Sequence, residues 1–244
     1  MLSKLPFEDD SIDVIYSSHF IEHIPRHKLP KFLNECRRIL KPRGTIRLVL
    51  PDLEKLCKEY ISQREIKNHD QADFLILELI DQCVRTQAGG FLDSYYGYLK
   101  SNPEKHAPMI EYVRFRTGEN LKLDTFDTNN SLSSKILKKL KDPIDLVMSI
   151  ERKLSSVWIR VVSLLMPSAF REQNISFASI GEKHAWMWDF YTLSCQLENA
   201  GFKNIERLNF NTTHILGFPL IPLDIDNENI PRKGEGSMYI EATK

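Results

Sequence analysis

Apolar positions along the first fifty residues change period twice. Ile12, Val14, Ile15 and Tyr16 follow a polar turn at Asp9, Asp10 and Ser11, which predicts a strand over residues 12–18. The run is nearly continuous rather than alternating, the pattern of a strand covered on both faces in a parallel α/β sheet. Leu29, Phe32, Leu33, Cys36, Ile39 and Leu40 then recur at helical spacing and predict a helix over 28–40, with Pro30 in its first turn. Lys41, Pro42, Arg43 and Gly44 end it, and residues 45–50 form a second apolar strand closed by Pro51 and Asp52. Strand, helix and strand in this order make a βαβ unit with a right-handed crossover.

The last sixty residues have the same texture. A helix is expected over 188–200 with Gly201 after it, then strands over 204–210 and 237–242, the latter preceded by a turn at Gly234 and Gly236. Strands from both chain ends are expected in one sheet. The middle differs: a short amphipathic helix over 73–83, a polar stretch over 118–134, and a long helix over 144–165 with a stripe from Val147 to Leu165. The expected organisation is therefore an α/β core from residues 1–52 and 181–244, with a mainly helical insertion over 53–180.

Charge narrows the function. With 33 Lys and Arg against 33 Asp and Glu, no general nucleic-acid binding is expected, because that affinity comes from clustered cations. The four cysteines form no CxxC pair, so neither a disulfide framework nor a cysteine zinc site is indicated, and a cytoplasmic location is expected. Lys135, Lys138, Lys139 and Lys141 upstream of the long helix leave membrane-surface contact as a minor alternative.

Several spacings agree with one known family. Leu5-Pro6-Phe7, Ser11, Asp13, Val14 and Glu22-His23, followed by Leu33, Glu35, Arg38, Leu40-Lys41-Pro42 and Gly44, resemble the central part of class I S-adenosylmethionine-dependent methyltransferases. His184, Trp188-Asp189, Leu193, Leu197 and Ala200-Gly201-Phe202 resemble a later helix of that family. The resemblance implies a Rossmann-like α/β fold, S-adenosylmethionine as cofactor and a methyl acceptor that the sequence does not identify. It places Ser17, Ser18 and His19 at a strand end beside the methyl donor, and Leu2 against the adenine. The family's glycine-rich loop and ribose-binding acid have no counterpart here. Gly89-Gly90 lacks the spacing to replace the loop. The expectation is thus a fold missing about its first three strands, with the 12–18 strand exposing an edge through which the chain self-associates. Arg43 stands where the family usually has glycine.

Within this frame His19 and His184 are the candidate catalytic residues, because a neutral imidazole can accept a proton from a hydroxyl or amine acceptor. Glu22, His23 and Trp186 are candidate substrate contacts; Glu22 and His23 read equally as a hydrogen-bonded pair that positions the loop. His19, His23 and His27 recur every four residues, but Pro25 breaks the register and no nearby carboxylate completes a set, so no metal is expected. The function expected is methyl transfer to an unknown acceptor by a domain incomplete in this chain, with weak or absent donor binding by the chain alone; the alternative is a non-catalytic, truncated module of the same fold that acts through protein association.

Overall fold

The computed structural model describes residues 4–122 and 182–244, together with isolated positions between 158 and 170. Leu2, the basic positions 135–141 and the helix expected over 144–165, apart from those isolated positions, lie outside the described residues. The chain divides into a compact unit of residues 1–121 with 178–244 and a second unit of residues 122–177. No helix among the described residues is long and apolar enough to cross a membrane.

Among the described residues the first unit is built on a four-stranded sheet: β1 (Ile12–Ser18), β2 (Leu40–Pro51), β3 (Lys203–Leu208) and β4 (Ser237–Thr243), in the order β1-β2-β4-β3. β1 and β2 are parallel, whereas β4 runs antiparallel to both β2 and β3, so the sheet is mixed rather than parallel throughout. Strands from the two chain ends do share it. The chain is expected to pass from β1 to β2 through a helix, and α1 (Leu29–Ile39) occupies that place with Pro30 in its first turn.

Between β1 and β2 the register jumps from Ile12 opposite Leu40 to Val14 opposite Thr45, so residues 41–44 bulge out of the ladder. Arg43 carries φ 68° at this bulge. A side chain there meets the clash that makes the left-handed region favour glycine.

One face of the sheet is apolar. Leu40, Ile46, Leu48 and Leu50 of β2 and Met238, Ile240 and Ala242 of β4 pack with Leu29, Leu33 and Cys36 of α1 and with Leu193 and Leu197 of α6 (Phe190–Asn199). The alternation follows from the period of two in a strand. β2, not β1, is the doubly covered strand: residues 46–51 are all buried, while β1 is mostly half-buried at the edge of the sheet. The other face of β2 carries Arg47, fully buried. Its guanidinium reaches Asp224 and Glu241, both at 2.7 Å, and the carbonyl of Thr212 at 3.0 Å.

Among the described residues up to 122, four helices follow β2: α2 (Leu53–Glu65), α3 (His69–Val84), α4 (Gly90–Ser101) and α5 (Ala107–Thr117). Asp52 caps α2 by accepting from the N–H groups of Glu54 and Lys55. α3 extends the short helix expected over 73–83 at both ends. Phe74, Leu92, Leu99, Ile110 and Val113 join α3, α4 and α5 in a second apolar core. Glycine is required where α5 ends: a Cβ on Gly118 (φ +79°) would lie 2.3 Å from the carbonyl oxygen of Arg232. This contact brings the loop before β4 against α5.

Candidate functional site

β1 ends at Ser18, and His19 follows with φ 49°, a left-handed conformation uncommon for a non-glycine residue. Its N–H still donates to the carbonyl of Val49 at 2.8 Å, so the strand pairing carries one residue past the strand and then turns. The next residues, Ile21–His23, form a single tight helical turn. That turn buries Glu22 and leaves His23 partly exposed.

The segment 184–186 clamps onto the same turn. The N–H groups of Ala185 and Trp186 both donate to the carbonyl of Glu22, at 2.7 and 3.1 Å, and the N–H of His184 donates to the carbonyl of Gln82 at 2.8 Å. His184 is thereby buried against His23, the two rings lying edge to face with centroids 5.0 Å apart. The structure so brings together four of the residues singled out from sequence: His19, Glu22, His23 and His184. Nδ1 of His19 lies 3.5 Å, and Nε2 of His23 3.9 Å, from Oε1 of Glu22. Glu22, His23 and His184 each offer a ligand atom, all within 4.8 Å of one another. His27 belongs to a separate turn, Arg26–Lys28, and is not among them. The carboxylate that the four-residue spacing lacked is Glu22, and the third donor comes from 161 residues further along the chain than His23.

Burial sets the protonation of this cluster. It pushes the Glu22 carboxyl up to about 7, and lowers the imidazoles of His19 to about 3 and His184 to about 4, because water is withdrawn from each charged form. Lys233 opposes the shift at Glu22 and adds to the one at His19, as a positive charge must.

A cavity of about 340 Å³ opens beside the cluster. Its walls include His19 and Ser237 at the strand ends, Gln82 and Tyr96 from α3 and α4, and Arg116 and Lys233. Arg116 is 1 % exposed and bonded to Glu78 at 3.0 Å. Sequence reasoning missed it, because an arginine on a short helix of weak periodicity reads as surface. The remaining sequence candidates fall elsewhere. Trp186 lies under the guanidinium of Arg26, 4.6 Å away, and does not line the cavity. Ser17 pairs with Leu48 inside the sheet and does not line it either. The hydroxyl of Ser18 is buried beside that of Tyr16, on which it acts through a hydrogen bond, and does not line the cavity. Gly89-Gly90 serves α4: the N–H groups of Phe91 and Leu92 donate to Asp81, and a Cβ on Gly90 would lie 2.5 Å from that carboxylate.

Residues 1–48 match the family model described as a methyltransferase domain. Among solved structures the chain is similar to a SAM-dependent methyltransferase from Archaeoglobus fulgidus, at 13 % identity and a TM-score of 0.32. That likeness covers 98 % of this chain and 62 % of the other, so the chain spans less than two thirds of that protein's length. No curated protein matches it. The matched residues hold β1, α1 and most of β2, together with His19, Glu22 and His23. The β1–α1–β2 unit at residues 1–48, set in a mixed α/β sheet, is thus similar to a methyltransferase domain.

Proposed function

We propose that this chain contributes the methyl-transfer site of an S-adenosylmethionine-dependent methyltransferase, with the acceptor in the cavity bordered by His19, Tyr96, Arg116 and Lys233. The observation that carries the reading is the match of residues 1–48 to a methyltransferase domain, on a segment whose strand ends open into that cavity. When bound, the donor supplies a methyl group already activated on a sulfonium. The chain's own residues then have two tasks. Ser18, at the end of β1, meets a polar group of the donor, as the family resemblance implies. His19 holds its Nε2 on Ser237 at 3.0 Å and keeps Nδ1 on the side of Glu22, a position from which it orients an acceptor hydroxyl or amine and takes its proton.

Photo-crosslinking of methyl-tritiated S-adenosylmethionine to the full chain, with the adduct mapped by mass spectrometry, tests this. Labelling near residues 16–20 that S-adenosylhomocysteine suppresses is expected, and labelling that it leaves unchanged would overturn the reading. His19→Ala should lower turnover roughly 10²–10⁴-fold once an acceptor is in hand. The alternative, a non-catalytic association module, draws support from one observation: β1 lies at the edge of the sheet and pairs only with β2 among the described residues. Light scattering decides it, since self-association of the full chain that a proline at Val14 abolishes would favour that module.

A further inference from the structure

We propose that Glu22, His23 and His184 form a binding site for a divalent transition-metal ion of the zinc class. Three observations converge on it. The first is the carboxylate itself. Glu22 is 1 % exposed, and neither of its oxygens accepts a hydrogen bond from another of the described residues. A buried carboxylate left this way is costly, and native proteins resolve it with a donor or a cation.

The second observation is the state of the nitrogens around it. Nδ1 of His23 lies 3.0 Å from the carbonyl of Lys183, an oxygen that can only accept, so Nδ1 carries the proton and Nε2 is a bare lone pair. Nδ1 of His184 lies 3.3 Å from the sulfur of Met187, an acceptor only, which leaves the lone pair on Nε2. The hydroxyl of Ser237 donates to the carbonyl of Lys233 at 2.9 Å, so it accepts from Nε2 of His19 and leaves Nδ1 of that ring bare toward Glu22. The hydrogen-bond partners therefore assign every imidazole the tautomer that turns a lone pair, not a proton, to the cluster. The imidazoles beside this carboxylate turn lone pairs to it, and lone pairs repel its charge. Engagement of the remote nitrogen by a backbone carbonyl is also how proteins orient histidine ligands.

Distance is the third. The separations of 3.5 and 3.9 Å from Oε1 of Glu22 to the bare nitrogens of His19 and His23 are too long for hydrogen bonds, so a proton on Glu22 finds no acceptor. Of these pairs only Glu22 and His23 are proposed co-ligands; their 3.9 Å, and the 4.8 Å within which all three ligand atoms fall, would shorten on an ion, since neighbouring donor atoms around a tetrahedral ion bonded at about 2.1 Å stand roughly 3.4 Å apart. Lys233 favours charge on Glu22 but forms no ion pair with it. Two imidazoles and one carboxylate select zinc or its neighbours over magnesium or calcium, which take oxygen donors. Three protein ligands leave a fourth position open, as at reactive zinc sites. His19, and Gln82 whose carbonyl holds His184, both line the cavity, so the cavity adjoins the cluster. A role for the ion in holding an acceptor oxygen rests on the methyl-transfer reading, whereas the binding of the ion does not.

The test uses the full chain without a polyhistidine tag, stripped with chelator and titrated with zinc chloride by calorimetry in the absence of any methyl donor. One equivalent per chain is expected, with a raised thermal midpoint. Glu22→Gln and His184→Gln should each weaken binding at least tenfold. The absence of stoichiometric binding by the unaltered chain, or undiminished binding by both variants, would overturn the proposal. Circular dichroism of the metal-free variants shows whether they fold. Should either fail to, cobalt chloride added to the unaltered chain decides: the visible absorption of a tetrahedral nitrogen–oxygen site supports the proposal, and its absence refutes it. Because donor crosslinking is measured separately, failure of the methyl-transfer reading and failure of the metal site give different results.

Discussion

Arg47 and Glu22 are both buried charged side chains, and the molecule treats them in opposite ways. Arg47 has two carboxylates at 2.7 Å, a backbone carbonyl at 3.0 Å, and the rings of Phe218 and Tyr239 beside its guanidinium, with only Nη2 unpaired. Donors meet acceptors, and the group ties β2 to β4 and to the loop that carries Asp224. Glu22 has no side-chain donor among the described residues, and the imidazoles beside it are acceptors too. The difference separates a charge that holds the fold together from one that waits for a ligand.

The largest effect should come from breaking the satisfied side. Arg47→Met leaves Asp224 and Glu241 buried without their cation, and should cost about 3–5 kcal/mol of unfolding free energy in denaturant titration. A loss no greater than that of a surface substitution would mean that these carboxylates find another partner. Glu22→Met in the metal-free chain should act with the opposite sign, raising stability by about 1–2 kcal/mol, because it removes an unpaired buried carboxylate. A clear destabilisation would break the comparison, since it would reveal a partner for Glu22.

Backbone strain offers a smaller version of the same contrast. His19 and Arg43 both sit at positive φ, but only His19 borders the cavity. Arg43→Gly should therefore stabilise the chain by about 1 kcal/mol and leave zinc affinity unchanged. A change in zinc binding would show that the bulge and the cluster are coupled.

The smallest effect belongs to a pair nearer the surface. The guanidinium of Arg38 holds the Glu35 carboxyl down to about 2, helped by the N–H of Leu5, which donates to it at 2.7 Å. Its folded value lies below the ordinary 4.5, so the stabilisation is fully present above about pH 4.5 and is lost as pH falls toward 2. Hydrogen exchange at Leu5 should accelerate over that window, and added salt should blunt the change. No acceleration would mean that other contacts hold residues 5–10 in place.

Local pattern was enough for the elements that bury one apolar face. α1, α6 and all four strands were legible from the period of their apolar residues, because each packs that face on the sheet. α2, α4 and α5 were not. α2 buries only Leu56, and α5 buries Arg116 beside Ile110 and Val113, so neither shows a clean stripe. The cap at Asp52 was the one local sign of α2 that could have been read. β1 read as covered on both faces because its apolar run is continuous, and the resemblance implied an open edge there; among the described residues it lies at the edge and is half-buried, since a strand's neighbours are decided by the rest of the sheet.

The sequence by itself determined the βαβ unit, its family resemblance and the residue types of the site, since those depend on side chains adjacent along the chain. Only the tertiary structure decided that the imidazoles beside Glu22 turn lone pairs to it. His184 reaches His23 through a clamp of backbone hydrogen bonds to Glu22 and Gln82, and the tautomer of each ring follows from a partner as distant as Ser237 or Lys183. Charge burial and hydrogen-bond direction are properties of what surrounds a group in space, and along this chain those surroundings lie some 160 residues or more away.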